Sequence, residues 1–272
     1  MILPTPLRQA EDEAQFGGKA TSLGRSLRSG LPVPDGFALS VDDVDALVHH
    51  SDTSATALEA MLHELGGRVA VRSSAVGEDA KDVSFAGQHV TVLNVRSVPA
   101  LIHAVGEVRQ SAHSASALGY RERMGITGVP RIATVIQHLV ESDSAGVLFT
   151  RNPTTGARER LIEAAWGLGE IVVSGAVVPD SYRLDPEGKV LERTIGMKDV
   201  CLRVAPDGGT VEVAIEPARI YAPVLTAAEL AQLHELTVRC ESVFGLDIDI
   251  EWAFEAGRLY LLQCRSITRS HE

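Results

Sequence analysis

The end of the sequence, DIDIEWAFEAGRLYLLQCRSIT (residues 247–268), leaves little choice of local structure. Polar and apolar residues alternate on both sides of a glycine-containing turn, the pattern of a β-hairpin. Alternation puts Asp247, Asp249 and Glu251 on one face of the first strand and Ile248, Ile250 and Trp252 on the other. Three carboxylates in a row repel one another unless positive charge lies above them. A solvated acidic edge would explain the first strand alone, but the second strand puts Leu261, Gln263 and Arg265 on one face. A three-residue EAG turn, ending in Gly257, pairs Phe254 with Arg258, Glu251 with Leu261 and Asp249 with Gln263. Carboxylates, an amide and a guanidinium then share one surface, and Tyr260, Leu262 and Cys264 join the apolar face. A two-residue AG turn would send Gln263 to the face opposite Glu251. The expectation is a metal–phosphate site, because a hard cation such as Mg2+ takes oxygen ligands and shares them with phosphates.

Other segments add cations. In VAVRSSAVGEDAKDVSFAGQ (69–88), Arg72 ends an apolar run and precedes an acidic, glycine-bounded loop. By itself this reads as a surface loop with a local ion pair; the alternative is an anion site built on a guanidinium fork. GGKATSLG (17–24) fails the Walker A pattern, having Glu13 where a glycine is needed and Ala20 after the lysine. A GGK turn before a helix can still present N–H groups and Lys19 to phosphate, but in isolation it reads as a C-cap glycine pair beside a solvent lysine.

The 272 residues, 45% hydrophobic, suffice for one large domain or two lobes. A net charge of -11 argues against a general nucleic-acid or anionic-membrane surface. Cys201, Cys240 and Cys264 form no CxxC pair, so neither a zinc site nor a disulfide framework is expected. The first residues lack a signal-peptide core and no apolar run reaches a membrane-spanning length, so the chain is expected to be cytoplasmic.

The pattern predicts helices opened by Gly17–Gly18 and closed by Gly30, over 42–65, over about 97–124, and after the Thr226/Glu229 capping box as far as Gly245. Leu47, Leu58, Leu62 and Leu65 are the expected core positions of the second. LPVPDGFALS reads as an extended connection; VAVRSS, HVTVLNV, RIATVIQHLV, AGVLFTRN, LIEAA, SYRLD and TVEVAIE read as strands. Without regular βαβ alternation, this is α+β.

Taken in order, GGKATSLG, VPDGFALS, VAVRSSAVGEDAKDVSFAGQ, YRERMGI, VIQHLVESDSAGVLFTRNPTTG, EAAWGLGEIVVSGAVVPDSY, DIEWAF and LQCRSIT resemble the nucleotide-binding domain of the phosphoenolpyruvate synthase, pyruvate phosphate dikinase and rifampicin phosphotransferase family. The resemblance is collinear over nearly the whole chain and implies an ATP-grasp fold, two α+β lobes clamping ATP. The implied division is 1–128, carrying the phosphate cations and lid loop, and 129–272, carrying the adenine-side strand and metal hairpin. By position, Lys19, Arg72 and Arg265 resemble the family's polyphosphate-binding and catalytic cations. Gly87 and Thr91 match the glycine-rich lid and the strand after it, Gln137 the residue beside the adenine, and Glu251 and Gln263 the Mg2+ ligands.

The reaction implied is phosphoryl transfer from Mg-ATP to a histidine on a mobile domain and then to a final acceptor, leaving AMP and phosphate. Arg265 stands seven residues before the end of the sequence, so the phosphohistidine domain is expected on a separate subunit. Two-subunit phenylphosphate and cresol phosphate synthases resemble this arrangement and imply a phenol or alkylphenol acceptor. A split phosphoenolpyruvate synthase, an antibiotic phosphotransferase or a non-catalytic nucleotide sensor are the alternatives. His113 falls within a predicted helix and reads as structural. Ser266 replaces the family's proline after the arginine, and the segment between GFALS and VAVRSS is short for the family.

Overall fold

The computed structural model describes residues 2, 4–49, 55–77, 90–114, 117–119, 122 and 130–266. In chain order its first half runs β1 (Thr5–Pro6), α1 (Glu13–Arg28), β2 (Gly36–Leu39), α2 (Val41–His49), α3 (Ala55–Glu64), β3 (Val69–Ala75), β4 (Thr91–Val95), α4 (Val98–Ser111) and β5 (Ile132–His138). The second half runs β6 (Ser144–Phe149), β7 (Arg160–Trp166), α5 (Glu170–Val173), β8 (Asp180–Leu184), β9 (Val190–Thr194), β10 (Val200–Val204), β11 (Thr210–Ala214), α6 (Pro217–Ile220), α7 (Ala227–Phe244), β12 (Ile248–Glu255) and β13 (Arg258–Ser266). The chain is α+β, as expected.

Two antiparallel sheets carry the architecture, in the orders β1-β2-β5-β3-β4 and β13-β12-β6-β7-β8-β9, with β10-β11 as a separate hairpin. Each large sheet buries one face on helices, and α1 also covers Ala38 and Val135 on the other face of the first sheet. Val69, Val71 and Ile136 of the first sheet pack against α2, α3 and α4 through Leu47, Leu58, Leu62, Leu65 and Leu101. In the second sheet, Cys264, Ile250, Leu148, Ile162 and Tyr182 lie side by side on successive strands and pack under α1 and α7. Period-two alternation leaves the opposite faces of both sheets to line a cleft. Among the described residues, no helix is long and apolar enough to cross a membrane.

Several elements differ from expectation. Helix α1 begins earlier, capped by Asp12, and is kinked where Gly17 takes φ 72. A Cβ there would lie 2.1 Å from the Ser74 carbonyl oxygen, so the close approach to β3 admits only glycine. The stretch expected as one helix over 42–65 contains two. The helix expected over about 97–124 is interrupted after Ser111, with residues 117–119 and 122 again helical, and His113 lies exposed in the turn after Ser111. The expected connection LPVPDGFALS contains β2, which pairs with β5. β9 and β10 were not signalled, being short and half-polar. β5, placed in the second lobe by a division at 128, is hydrogen-bonded between β2 and β3 in the first sheet.

The hairpin register also requires correction. The turn has two residues, Ala256 (φ 49) and Gly257 (φ 77), both left-handed, so Glu255 pairs with Arg258 and Phe254 with Leu259 rather than Arg258. A bulge then inserts Leu262, since Trp252 pairs with Leu261 while Glu251 pairs with Gln263. The extra residue reverses which side later residues face. Glu251 thus stands directly opposite Gln263, and Asp249 opposite Arg265. The shared polar face is present, reached by a different route. Leu261, not Leu262, joins Ile250 and Trp252 in the main core, while Tyr260 and Leu262 pack near Ala253.

Candidate functional site

The two free sheet faces enclose a cleft of about 480 Å³ whose lining includes Lys19, Arg72, Thr91, Gln137, Glu251, Gln263 and Arg265. Every candidate site residue predicted from sequence therefore lies on this cleft except Gly87, which is outside the described residues. Two elements set the cations. On β3, Val69 and Val71 point into the first core, so Arg72 points the other way. On α1, the Ser74 hydroxyl donates to the Phe16 carbonyl at 2.6 Å and accepts from Ala20 N–H at 3.0 Å, bracketing the Gly17–Lys19 turn. Ser22 donates to the Cys264 carbonyl at 2.6 Å, which holds the same helix against β13.

These restraints converge on one corner. Lys19 Nζ donates to Gln263 Oε1 at 2.8 Å, and Arg72 Nη2 donates to the same oxygen at 3.1 Å and to Glu251 Oε2 at 2.6 Å. Arg72 Nη1 donates to the Leu262 carbonyl at 2.5 Å, a contact to the bulge residue itself. Arg265 Nε donates to both Asp249 oxygens, at 2.9 and 2.8 Å. Lys19, Arg72 and Gln263 are buried, whereas the side chains of Glu251 and Arg265 keep 36% and 24% exposure toward the cleft. Two residues along β3 from Arg72, Ala70 pairs with Gln137, whose amide donates to the Pro34 carbonyl at 3.0 Å. From there the lining turns apolar through Leu139, Val140, Leu168 and Val172. The cleft therefore has a charged corner and an apolar section, suited to a ligand that is polyanionic at one end and flat and apolar at the other.

Sequence reasoning missed two further carboxylates. Glu163 lies across the sheet from Glu251 with Val147 between them, which puts it on the same face. Glu170, at the start of α5, has its carboxyl pushed above the ordinary range by burial, held back by the nearby Arg72 charge and raised further by Glu251. The GLGE segment around Glu170 belonged to a quoted motif, but no periodicity marked its acid as cleft-facing. Among the described residues, no three acidic, histidine or cysteine side chains converge to hold a metal by themselves. Glu251 and Gln263 offer two hard oxygens at an open corner, the donor set that suits Mg2+ when water and phosphate complete the shell.

Residues 54–272 match the family described as pyruvate phosphate dikinase, AMP/ATP-binding domain, and the chain belongs to it. It is 33% identical to a probable phosphoenolpyruvate synthase from Methanothermobacter thermautotrophicus, over 95% of this chain and 44% of that protein. It is 34% identical to a rifampicin phosphotransferase from Streptomyces sviceus, over 96% of this chain and 35% of that one. With a prodigiosin synthesizing transferase from Serratia marcescens the figures are 35%, 93% and 32%. The chain thus spans less than half the length of these relatives. Among solved structures, a D-alanine–D-alanine ligase from Bacillus anthracis is similar at 13% identity and a TM-score of 0.42, over 92% of this chain and 56% of that one. The chain is an ATP-binding domain of the dikinase family.

Proposed function

We propose that the two sheets clamp Mg-ATP in the manner of an ATP-grasp enzyme, and that the domain passes a phosphoryl group to a histidine on a separate subunit. From that histidine the group goes to a small-molecule hydroxyl, a phenol or alkylphenol, so that ATP, water and the hydroxyl compound together give AMP, phosphate and the phosphate ester. The observation that carries this reading is the convergence of Lys19, Arg72 and Arg265 on Glu251, Gln263 and Asp249 at one end of a half-apolar cleft.

In this reading, Lys19, Arg72 and Arg265 turn from their present oxygen partners to the polyphosphate and neutralise charge as the phosphoryl group moves. Glu251 and Gln263 would hold Mg2+, which when bound supplies further charge neutralisation across the phosphates. Gln137 and the apolar section bury the base. Thr91, on the strand after the lid loop, closes toward the phosphates. Among the described residues lining the cleft the one histidine is His138, whose Nδ1 lies 3.0 Å from the Leu65 carbonyl, and this supports an acceptor outside the cleft. The names of the relatives make phosphoenolpyruvate formation and rifampicin phosphorylation the alternative outcomes.

The test combines the chain with a candidate histidine-bearing subunit and each acceptor, and follows AMP formation. Multiple-turnover production of AMP and an aryl phosphate only when all three are present is expected, with AMP limited to about one equivalent of the partner when the acceptor is left out. Fast multiple-turnover AMP formation by the chain alone would contradict the partner, and product from pyruvate or rifampicin but not from phenols would contradict the acceptor.

A further inference from the structure

The β10–β11 hairpin has no core of its own. Every residue of β11 is exposed, and two strands alone are marginal in water, so its position depends on what grips it. It is gripped along β10 and at its tip. Midway along β10, Gly167 forms a parallel bridge with Leu202, Leu168 N–H donates to the Leu202 carbonyl at 2.9 Å, and Arg203 donates to the Ser142 carbonyl at 2.9 Å. A Cβ on Gly167 would lie 2.4 Å from the Leu202 oxygen, so the approach is as close as backbone permits. Leu202 and Val200 also pack with Ile171 and Val172 of α5.

At its tip, the turn Ala205–Gly209 crosses to the other sheet. Asn94 Nδ2 donates to the Ala205 carbonyl at 2.7 Å and the Gly209 carbonyl at 2.8 Å, and Gly209 N–H donates to the Asn94 carbonyl at 3.3 Å. Arg96 adds a bond to the Pro206 carbonyl. Asn94 is 2% exposed and sits at φ 57, a conformation asparagine tolerates better than most residues, at the irregularity where β4 slips against β3. The backbone twist turns its amide away from the cleft and onto the hairpin, while Thr91 and Leu93 beside it line the cleft.

The two anchors lie beside opposite walls of the same cleft. At the tip is the strand of Thr91 and Leu93; beside the middle of β10 is the Leu168–Val173 segment with Glu170. We infer that Asn94 is a positioning residue for the nucleotide, holding the β10–β11 hairpin as a strap that fixes the spacing between these walls. This rests on the cleft being the ATP site. The reason is mechanical: with an outer strand exposed throughout, the hairpin can hold a fixed distance only while β10 and the tip are both tied. Side-chain bonds at a strand irregularity are the weakest part of that path.

Asn94→Asp tests it, because aspartate keeps the shape and tolerates positive φ but removes both donated bonds. Asn94→Gly keeps the backbone without a side chain, and the exposed Arg96→Ala removes the other side-chain tie should the first two fold poorly. Mg-ATP dissociation constants and amide hydrogen exchange are measured on each. The strap account expects affinity to fall about tenfold in the Asn94 variants, the scale of a typical coupling between separated elements, and by less in Arg96→Ala. It also expects residues 168–173 and 200–214 to exchange faster, and ATP to slow their exchange in the wild type only. A lowered melting temperature with unchanged affinity and unchanged exchange at 168–173 would reduce Asn94 to a local structural role and overturn the inference. Failure of the wild type to bind ATP would overturn the nucleotide reading as well.

Discussion

Charge is concentrated at two places in the second sheet, and the surrounding chain treats them oppositely. On β8, Asp180 and Lys198 form an ion pair with both side chains 0% exposed. Asp180 Oδ1 also accepts from Gly196 N–H at 3.0 Å, and Oδ2 accepts from Val224 N–H at 2.7 Å and from the Tyr182 hydroxyl at 3.1 Å. Lys198 donates in addition to the Gly196 carbonyl at 2.9 Å. Both Asp180 oxygens are shared between donors, and Lys198 has two protein acceptors. Three and four strands away, the corner made by β12 and β13 gathers cations and oxygens beside an open cleft, with Glu251 and Arg265 still partly in solvent. The first cluster is enclosed and dry, which suits a structural pin. The second can exchange partners, which suits binding. Burial and completeness, rather than the number of charges, separate structure from function here.

That contrast can be broken most forcefully at the pin. Asp180→Ala or Lys198→Ala leaves the other charge buried and unpaired, at a cost of about 3–5 kcal/mol in stability. Denaturant unfolding should register that loss, while any protein that remains folded should bind nucleotide normally. A loss of under about 1 kcal/mol, the range of an exposed pair, would show that the pin is not dry.

At the open corner the effects should be inverted. Glu251→Gln and Arg265→Ala should remove on the order of 3 kcal/mol of transition-state stabilisation from phosphoryl transfer. Their melting temperatures should stay close to wild type, because each side chain retains solvent. Normal transfer in either variant, with unchanged melting, would refute the roles given to these residues.

The smallest expected effect is a titration at the pin. Burial, with a smaller contribution from Asp180, pushes the Tyr182 hydroxyl up to about 12, against a relieving bond from Leu225 N–H. An unfolded tyrosine titrates near 10, so the folded protein holds this proton while the unfolded chain loses it. The associated stability is complete below about pH 10 and lost as pH rises toward about 12. Tyr182→Phe should flatten that alkaline slope; an identical slope in the variant would remove Tyr182 from the network.

The open corner was legible in the sequence and the pin was not. Alternation along DIDIEW, the cation at the end of VAVRSS and the GGK turn are local signals, and resemblance gave each a place in one cleft. The hairpin register was misread because the bulge at Leu262 has no local signature, although it is what places Glu251 opposite Gln263. Lys198 sits in GMKDV, which falls in no element predicted from the sequence, and is buried because β8, Gly196 and the Val224 segment close around it. Asn94 looked like one more residue of an alternating strand, and its role depends on a turn more than a hundred residues later. Contacts made by chain closure leave little trace in local periodicity.

The central claim is that the cations of the open corner exchange their protein oxygens for polyphosphate. Calorimetric titration of the chain and of Arg72→Ala with ATP, each with and without Mg2+, tests it most directly. The account predicts that the wild type binds ATP, more tightly with Mg2+, and that Arg72→Ala loses on the order of 3 kcal/mol of binding while remaining folded. Equal affinity for ATP in the two proteins would contradict it.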